Sequence, residues 1–137
     1  MMYINGQAVA PTNLVKEGHN YSTDEQVIGT WINGKPLYEK TFSWGELNLS
    51  SLLTQKEHNI ANVDKGFVVS AWGYRQLDGF WKNVIGNTVG TFTDDTNIVR
   101  GIVWGMDSTY LKFRTNGTTG LVCDECYVVM QYTKTTD

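Results

Sequence analysis

From residue 27 onward, apolar, β-branched and aromatic residues fall in short runs punctuated by Gly, Asn, Asp and Pro, the spacing of strands joined by tight turns. Residues 27–32 and 37–42 are two such runs, separated by Asn33-Gly34-Lys35-Pro36. Asn-Gly tolerates the positive φ angles of a hairpin turn, which predicts a hairpin with positive φ at both turn positions. Pro36 has no amide to donate, which places it at the turn or on an edge. Upstream, Ser22 with Glu25 three residues on is a pairing that satisfies free amides at a helix start, and only a short turn can follow. Residues 47–53 show partial helical promise, but Asn48, Ser50 and Ser51 interrupt it, so a strand fits as well as a short helical turn.

The alternation is clearer from Gly66. Phe67, Val69 and Ala71 are expected on one face of a strand, with Val68, Ser70, Trp72 and Tyr74 on the other. Leu77-Asp78-Gly79 turns the chain into residues 80–85, where Trp81 and Ile85 oppose Phe80, Lys82 and Val84 in a second hairpin. Residues 86–96, rich in Gly, Thr, Asn and Asp, read as a loop. A strand over 97–104 follows, with Ile98, Ile102 and Trp104 on one side, and Gly105-Met106-Asp107 reverses it. Within 108–114, Leu111 and Phe113 face inward while Tyr110, Lys112 and Arg114 face outward; Asn116-Gly117 is the next turn. In a last strand over 127–133, Val128, Met130 and Tyr132 alternate with Tyr127, Val129 and Gln131. Roughly seven or eight short strands at this spacing predict an all-β fold, an antiparallel β-sandwich or a jelly-roll-like knob.

A chain of 137 residues and 15.4 kDa is expected to form one domain with a real core. Residues 21–137 are assigned to it. Residues 1–20 carry turn signals (Asn5-Gly6, Pro11-Thr12-Asn13, Glu17-Gly18-His19-Asn20) before any periodic pattern and read as an N-terminal arm or attachment segment. With 11 basic against 14 acidic side chains, a net charge of −3 and no Lys/Arg cluster, the nucleic-acid backbone is excluded as the main partner. No apolar run approaches the ~20 residues that span a bilayer, and no secretory signal pattern opens the chain, so neither membrane insertion nor export by the usual route is expected. Disorder is excluded by 41% hydrophobic and 12% aromatic residues with 18% charged.

Candidate chemistry adds little. Cys123-Asp124-Glu125-Cys126 has the spacing of a redox pair or half a zinc site, yet only His19 and His58 remain as further ligands and neither is near in sequence. On an extended strand the two thiols point to opposite faces, and they are read as ordinary thiols on a strand or bulge. Asp94-Asp95 with Asn97 lacks the alternating spacing of a calcium loop and reads as a solvated loop. His19 and His58 have no catalytic partner at a recognisable spacing and are placed on the surface or in a subunit contact. Nothing selects a glycosidase pair from Glu39, Glu46, Glu57, Asp64 and Asp78. No catalytic residue, metal or cofactor is therefore assigned. Trp31, Trp44, Trp72, Trp81 and Trp104 are more than one small core needs, and one or two of them are expected at the surface. Tyr74, Arg75, Trp81 and Lys82 combine rings with polar donors beside the 76–79 turn and form the candidate ligand-binding patch.

The stretch Tyr21-Ser22-Thr23-Asp24-Glu25-Gln26-Val27-Ile28-Gly29-Thr30-Trp31-Ile32-Asn33-Gly34-Lys35-Pro36-Leu37-Tyr38-Glu39-Lys40-Thr41 resembles a segment of phage and prophage virion proteins, particularly those of Gram-positive bacteria. The ending Tyr127-Val128-Val129-Met130-Gln131-Tyr132-Thr133-Lys134-Thr135-Thr136-Asp137 is similar to the terminal strand and tail of the C-terminal domains of tail-fibre, head-fibre and related structural proteins. The resemblance implies a non-enzymatic fibre knob, commonly a homotrimer, displayed on the virion and assembled in the host cytoplasm. Its implied partners are other virion subunits and a host-surface glycan or protein. The 47–122 middle carries only a compatible all-β pattern, so the resemblance leaves the receptor open. The alternatives are a purely structural capsid or tail decoration, a carbohydrate-binding module outside a virion, and a glycosidase or other hydrolase.

Overall fold

The computed structural model describes residues 19–49, 53–85, 101–115 and 121–137, together with the backbone of residues 3–4, 7–8, 88–89 and 99–100. Among them there is no helix, and every strand pairing is antiparallel. The strands are β1 (Tyr3–Ile4), β2 (Gln7–Ala8), β3 (Gln26–Thr30), β4 (Pro36–Ser43), β5 (Leu47–Asn48), β6 (Leu53–Glu57), β7 (Val63–Arg75), β8 (Phe80–Asn83), β9 (Thr88–Val89), β10 (Val99–Arg100), β11 (Val103–Met106), β12 (Tyr110–Arg114), β13 (Val122–Cys123) and β14 (Glu125–Lys134).

A five-stranded sheet runs in the order β3-β4-β14-β7-β8, and a three-stranded sheet runs β11-β12-β6. Ala71, Val128, Met130 and Tyr132 of the larger sheet share one hydrophobic core with Leu111 and Phe113 of the smaller, which makes the fold an antiparallel sandwich. Trp44 and Trp104 join that core edge to face at 5.2 Å, with Phe113 at 4.6 Å from Trp104. The buried indole is satisfied, because Trp104 Nε1 donates to the Val84 carbonyl at 2.7 Å. Leu111 and Phe113 point inward as the alternation predicts.

The β3–β4 hairpin forms where expected, with different turn geometry. Gly34 N donates to the Trp31 carbonyl at 2.8 Å and Trp31 N to the Lys35 carbonyl at 2.8 Å. Only Gly34 takes a positive φ, of 85°. Asn33 keeps a negative φ and instead accepts the Lys35 amide on Oδ1 at 3.0 Å, a turn closed by a left-handed glycine. Pro36 opens β4, where its missing donor costs no ladder bond.

Elsewhere the chain departs from simple alternation. Val129 pairs with Ser70 and Met130 with Val68, so Val69 is an extra residue, a β-bulge. The bulge shifts the phase of β7: Val68 and Ala71 face the core together, and Phe67, Val69 and Ala71 do not share a face. Residues 97–104 are not one strand, because Gly101, at φ 66°, separates β10 from β11. Gly105 and Met106 belong to β11, and the reversal falls on residues 107–109. A strand, β9, lies inside the expected 86–96 loop and pairs with β10. Ser22 starts no helix; its Oγ accepts the Asp24 amide at 3.0 Å. The Asn116-Gly117 turn, the Asp94-Asp95-Asn97 group and most of the 1–20 arm lie outside the described residues.

The two stretches that resemble virion proteins lie side by side, since β14 pairs with β4 along Tyr127 to Tyr132 and β4 pairs with β3. Glu25 fastens them, accepting from Tyr132 Oη at 2.7 Å and Lys134 Nζ at 2.7 Å. Burial alone raises the Glu25 carboxyl, but the hydrogen bonds from Lys134 and Tyr132 outweigh it and hold its pKa below the ordinary value. Tyr38 stacks on Tyr132 with ring centroids 5.7 Å apart and donates to Asp137 Oδ2 at 2.6 Å; that bond pushes its phenol up to about 12.

Candidate functional site

Strand register decides which of the singled-out side chains meet. Tyr74 pairs with Trp81 across the β7–β8 hairpin, and Trp72 pairs with Tyr127 across β7 and β14. All four lie on the face opposite Ala71 and Val128, because side chains alternate along each strand. The rings form a strip. Tyr74 and Trp81 are 5.2 Å apart, Trp81 stacks on Tyr127 at 6.0 Å, and Tyr21 sets its edge against Trp72 at 5.0 Å. Trp81 is 50% exposed, while Trp44 is buried and Trp31, Trp72 and Trp104 are half-buried, so Trp81 is the open platform of the five.

Arg75 and Lys82 sit on the other side of the same hairpin. One step along each strand from Tyr74 and Trp81 reverses the face, and both cations turn inward onto Asp78. Lys82 Nζ is 2.8 Å and Arg75 Nη1 3.6 Å from Asp78 Oδ2, with all three side chains buried or nearly so. The four-residue patch therefore separates into an outer aromatic pair and an inner ion-pair cluster. Arg75 also lines an open cleft of about 520 Å³ with Gln76, Leu77, Val122 and Asp124.

Beside the aromatic strip lies a second cleft, of about 240 Å³, lined by Tyr21, Ser22, Thr23, Thr41, Trp72 and Tyr127. The segment before β3 makes one wall, anchored where Thr41 N donates to the Ser22 carbonyl at 2.8 Å and where His19 stacks on Tyr21 at 4.3 Å. His19 Nε2 is 2.6 Å from Glu39 Oε1, and Gln131 Nε2 donates to Glu39 Oε2 at 3.0 Å, which satisfies the buried carboxylate. Tyr127, Thr41 and Tyr21 are absent from the sequence-level patch. Their signal is the parity of Tyr127 with Val129 and of Trp72 with Tyr74, which acquires meaning only once the β7–β14 register is known.

The other candidates resolve individually. Cys123 and Cys126 do not point to opposite faces; the chain bends at Asp124, whose amide donates to the Tyr74 carbonyl at 2.7 Å, and both free thiols enter the core. Burial pushes Cys123 up to about 11 and Cys126 up to about 12, which keeps both protonated and unreactive at neutral pH. His58 is buried rather than at the surface. Its Nδ1 accepts the Ile60 amide at 3.1 Å, which leaves Nε2 to donate to the Asp107 carbonyl at 2.8 Å, so the ring serves as a structural cross-link. Of the carboxylates, Glu39 and Asp78 are buried and engaged as above, while Glu46, Glu57 and Asp64 are exposed. Among the described residues no three His, Cys, Asp or Glu side chains gather to hold a metal ion. No helix among them is long and apolar enough to cross a membrane. No protein family, no curated protein and no solved structure matches this chain.

Proposed function

We propose that this chain is a non-enzymatic domain of a phage virion fibre, a knob that assembles as a homotrimer and binds a host-surface glycan or protein. The observation that carries the reading is the outer aromatic strip, in which the half-exposed Trp81 rests on Tyr74 and Tyr127. A flat ring held by two neighbours gives a ligand a large apolar contact at little entropic cost. The same reading assigns the free edge of β3 to subunit contact. There Val27 is 63% exposed, and Ile32 in the adjoining turn 90%, beside a row of backbone groups that no strand among the described residues pairs.

The test is adsorption to host cells of particles carrying the domain. Trp81→Ala removes an exposed ring without opening the core, so attachment weakens by about 1–3 kcal/mol with the melting temperature unchanged. Adsorption indistinguishable from wild type refutes the reading of this face as the receptor surface and leaves the structural-decoration alternative.

A further inference from the structure

We infer that the cleft at the tip of the β7–β8 hairpin, lined by Arg75, Gln76, Leu77, Val122 and Asp124, is a subsite for a hexuronic acid, with the sugar carboxylate on Arg75 and a ring hydroxyl on Asp124. This deepens the proposed receptor role and rests on its glycan branch. Two observations converge on the ligand class. The first is a cation without a hydrogen bond. Arg75 is 8% exposed, and among the described residues its guanidinium meets only Asp78 Oδ2, 3.6 Å from Nη1, an oxygen that already accepts from Lys82 Nζ at 2.8 Å. Of the three guanidinium nitrogens only Nη1 is both sealed from solvent and unbonded. Nε and Nη2 have no hydrogen-bond partner among the described residues either, so they keep accessible surface and form the edge that Arg75 presents to the cleft it lines. Two parallel N–H groups on one edge match a carboxylate, and a buried cation short of counter-charge gains from an anion that supplies it.

The second is a carboxylate in the same cleft. Asp124 is exposed, and its Oδ2 accepts the Gln76 amide at 2.7 Å, which fixes the group and leaves Oδ1 to accept from a ligand. Opposite charges that share a cleft without pairing select a ligand carrying an anion and a hydrogen-bond donor a few bonds apart. A neutral hexose leaves Arg75 unmatched, while phosphate or a densely charged polyanion brings like charge against Asp124. A hexuronic acid holds both groups on one ring, because its C4 hydroxyl adjoins the carbon that bears the carboxylate. Leu77, 74% exposed, and Val122 supply apolar surface for the C–H face of a pyranose, which a free amino acid would leave uncovered. A volume of about 520 Å³ is that of a small-molecule site.

The experiment is a chemical-shift titration of the full chain with the methyl glycosides of glucuronic and galacturonic acid, against those of glucose and galactose and against acetate and alanine. At least one uronide should bind about tenfold or more tightly than its neutral counterpart and than acetate or alanine, the range set by one charge-assisted pair, with the largest shifts at the Gln76 and Asp124 amides. Arg75→Lys, which keeps the charge and loses the planar fork, should erase most of the preference over the neutral sugar. If that variant does not fold, the comparisons on the wild-type chain decide the matter by themselves. Equal binding of acidic and neutral sugars, acetate or alanine as tight as the uronides, no saturable binding, or an undiminished preference in a folded lysine variant would overturn the subsite. If Trp81→Ala abolishes adsorption while no uronide saturates, the subsite falls and the receptor reading stands. If the uronides behave as expected while adsorption ignores Trp81, the receptor reading of the aromatic face falls and the subsite stands.

Discussion

Asp107 shows how one side chain holds a reversal together. Its Oδ1 accepts the amides of Tyr110 at 2.6 Å and Thr109 at 2.8 Å, and its Oδ2 lies 3.1 Å from Lys112 Nζ. These bonds, the Tyr110 amide first, hold the carboxyl down to about 2. A folded pKa below the unfolded value means that the stabilisation is complete above the ordinary carboxylate range and is lost as pH falls through about 2. Because the side chain is about half exposed, solvent screening reduces it to under about 1 kcal/mol. Asp107→Ala should lower the urea midpoint at neutral pH and flatten its decline between about pH 4 and pH 2. Parallel pH curves for variant and wild type would exclude this role. The buried thiols give a second residue-level expectation: Cys126→Ser places a hydroxyl in an apolar core and should cost about 1–3 kcal/mol, with Cys126→Ala milder. In the native protein neither thiol should react with a disulfide reagent, and rapid labelling would show that one is accessible. The lack of further ligands near the CxxC in the chain was legible in the sequence. The bend at Asp124 that buries both thiols was not, since it depends on a bond to Tyr74, 50 positions away in the chain.

Among the elements, hairpins whose turns declare themselves in sequence were the most legible. Gly34 and Gly79, at φ 85° and 73°, sit where the turn signals placed them. Gly34→Val should cost on the order of 1–3 kcal/mol, because an L side chain is strained in that region although nothing crowds it, and Gly34→Asn should cost less. Equal melting temperatures for the two variants would argue against a left-handed turn. Gly73 is constrained differently: a Cβ there would meet Cys123 Sγ at 2.7 Å and Val84 Cγ1 at 3.0 Å. Gly73→Ala should therefore destabilise through overpacking, and Cys123→Ala should recover part of the loss, a coupling that a double-mutant cycle measures. The β7 bulge left no trace in the sequence, because alternation within one strand cannot reveal where its partner skips a residue. The candidate patch failed to hold together for a related reason. Alternation alone separates Tyr74 from Arg75 and Trp81 from Lys82, and grouping them by nearness to a turn overlooked it.

For the whole molecule, the all-β sandwich was readable from spacing and composition, whereas the strand order was not, since pairing between distant segments has no local signature. If the proposed trimer forms, light scattering should report about three times the 15.4 kDa chain mass and the melting temperature should rise with concentration. A chain-mass particle at micromolar concentration would refute it. The central position of β14 bears on synthesis. This strand joins β4 to β7, yet it follows both in the chain, so β3–β4 and β7–β8 emerge from the ribosome as two separate hairpins with no shared partner. Isolated hairpins are marginal in water, and the contacts that close the sheet join residues far apart in the sequence, such as Tyr132 with Tyr38 and Lys134 with Val63. The sheet is thus completed late: β4 and β7 keep open edges until β14 has been made and inserts between the two halves that precede it.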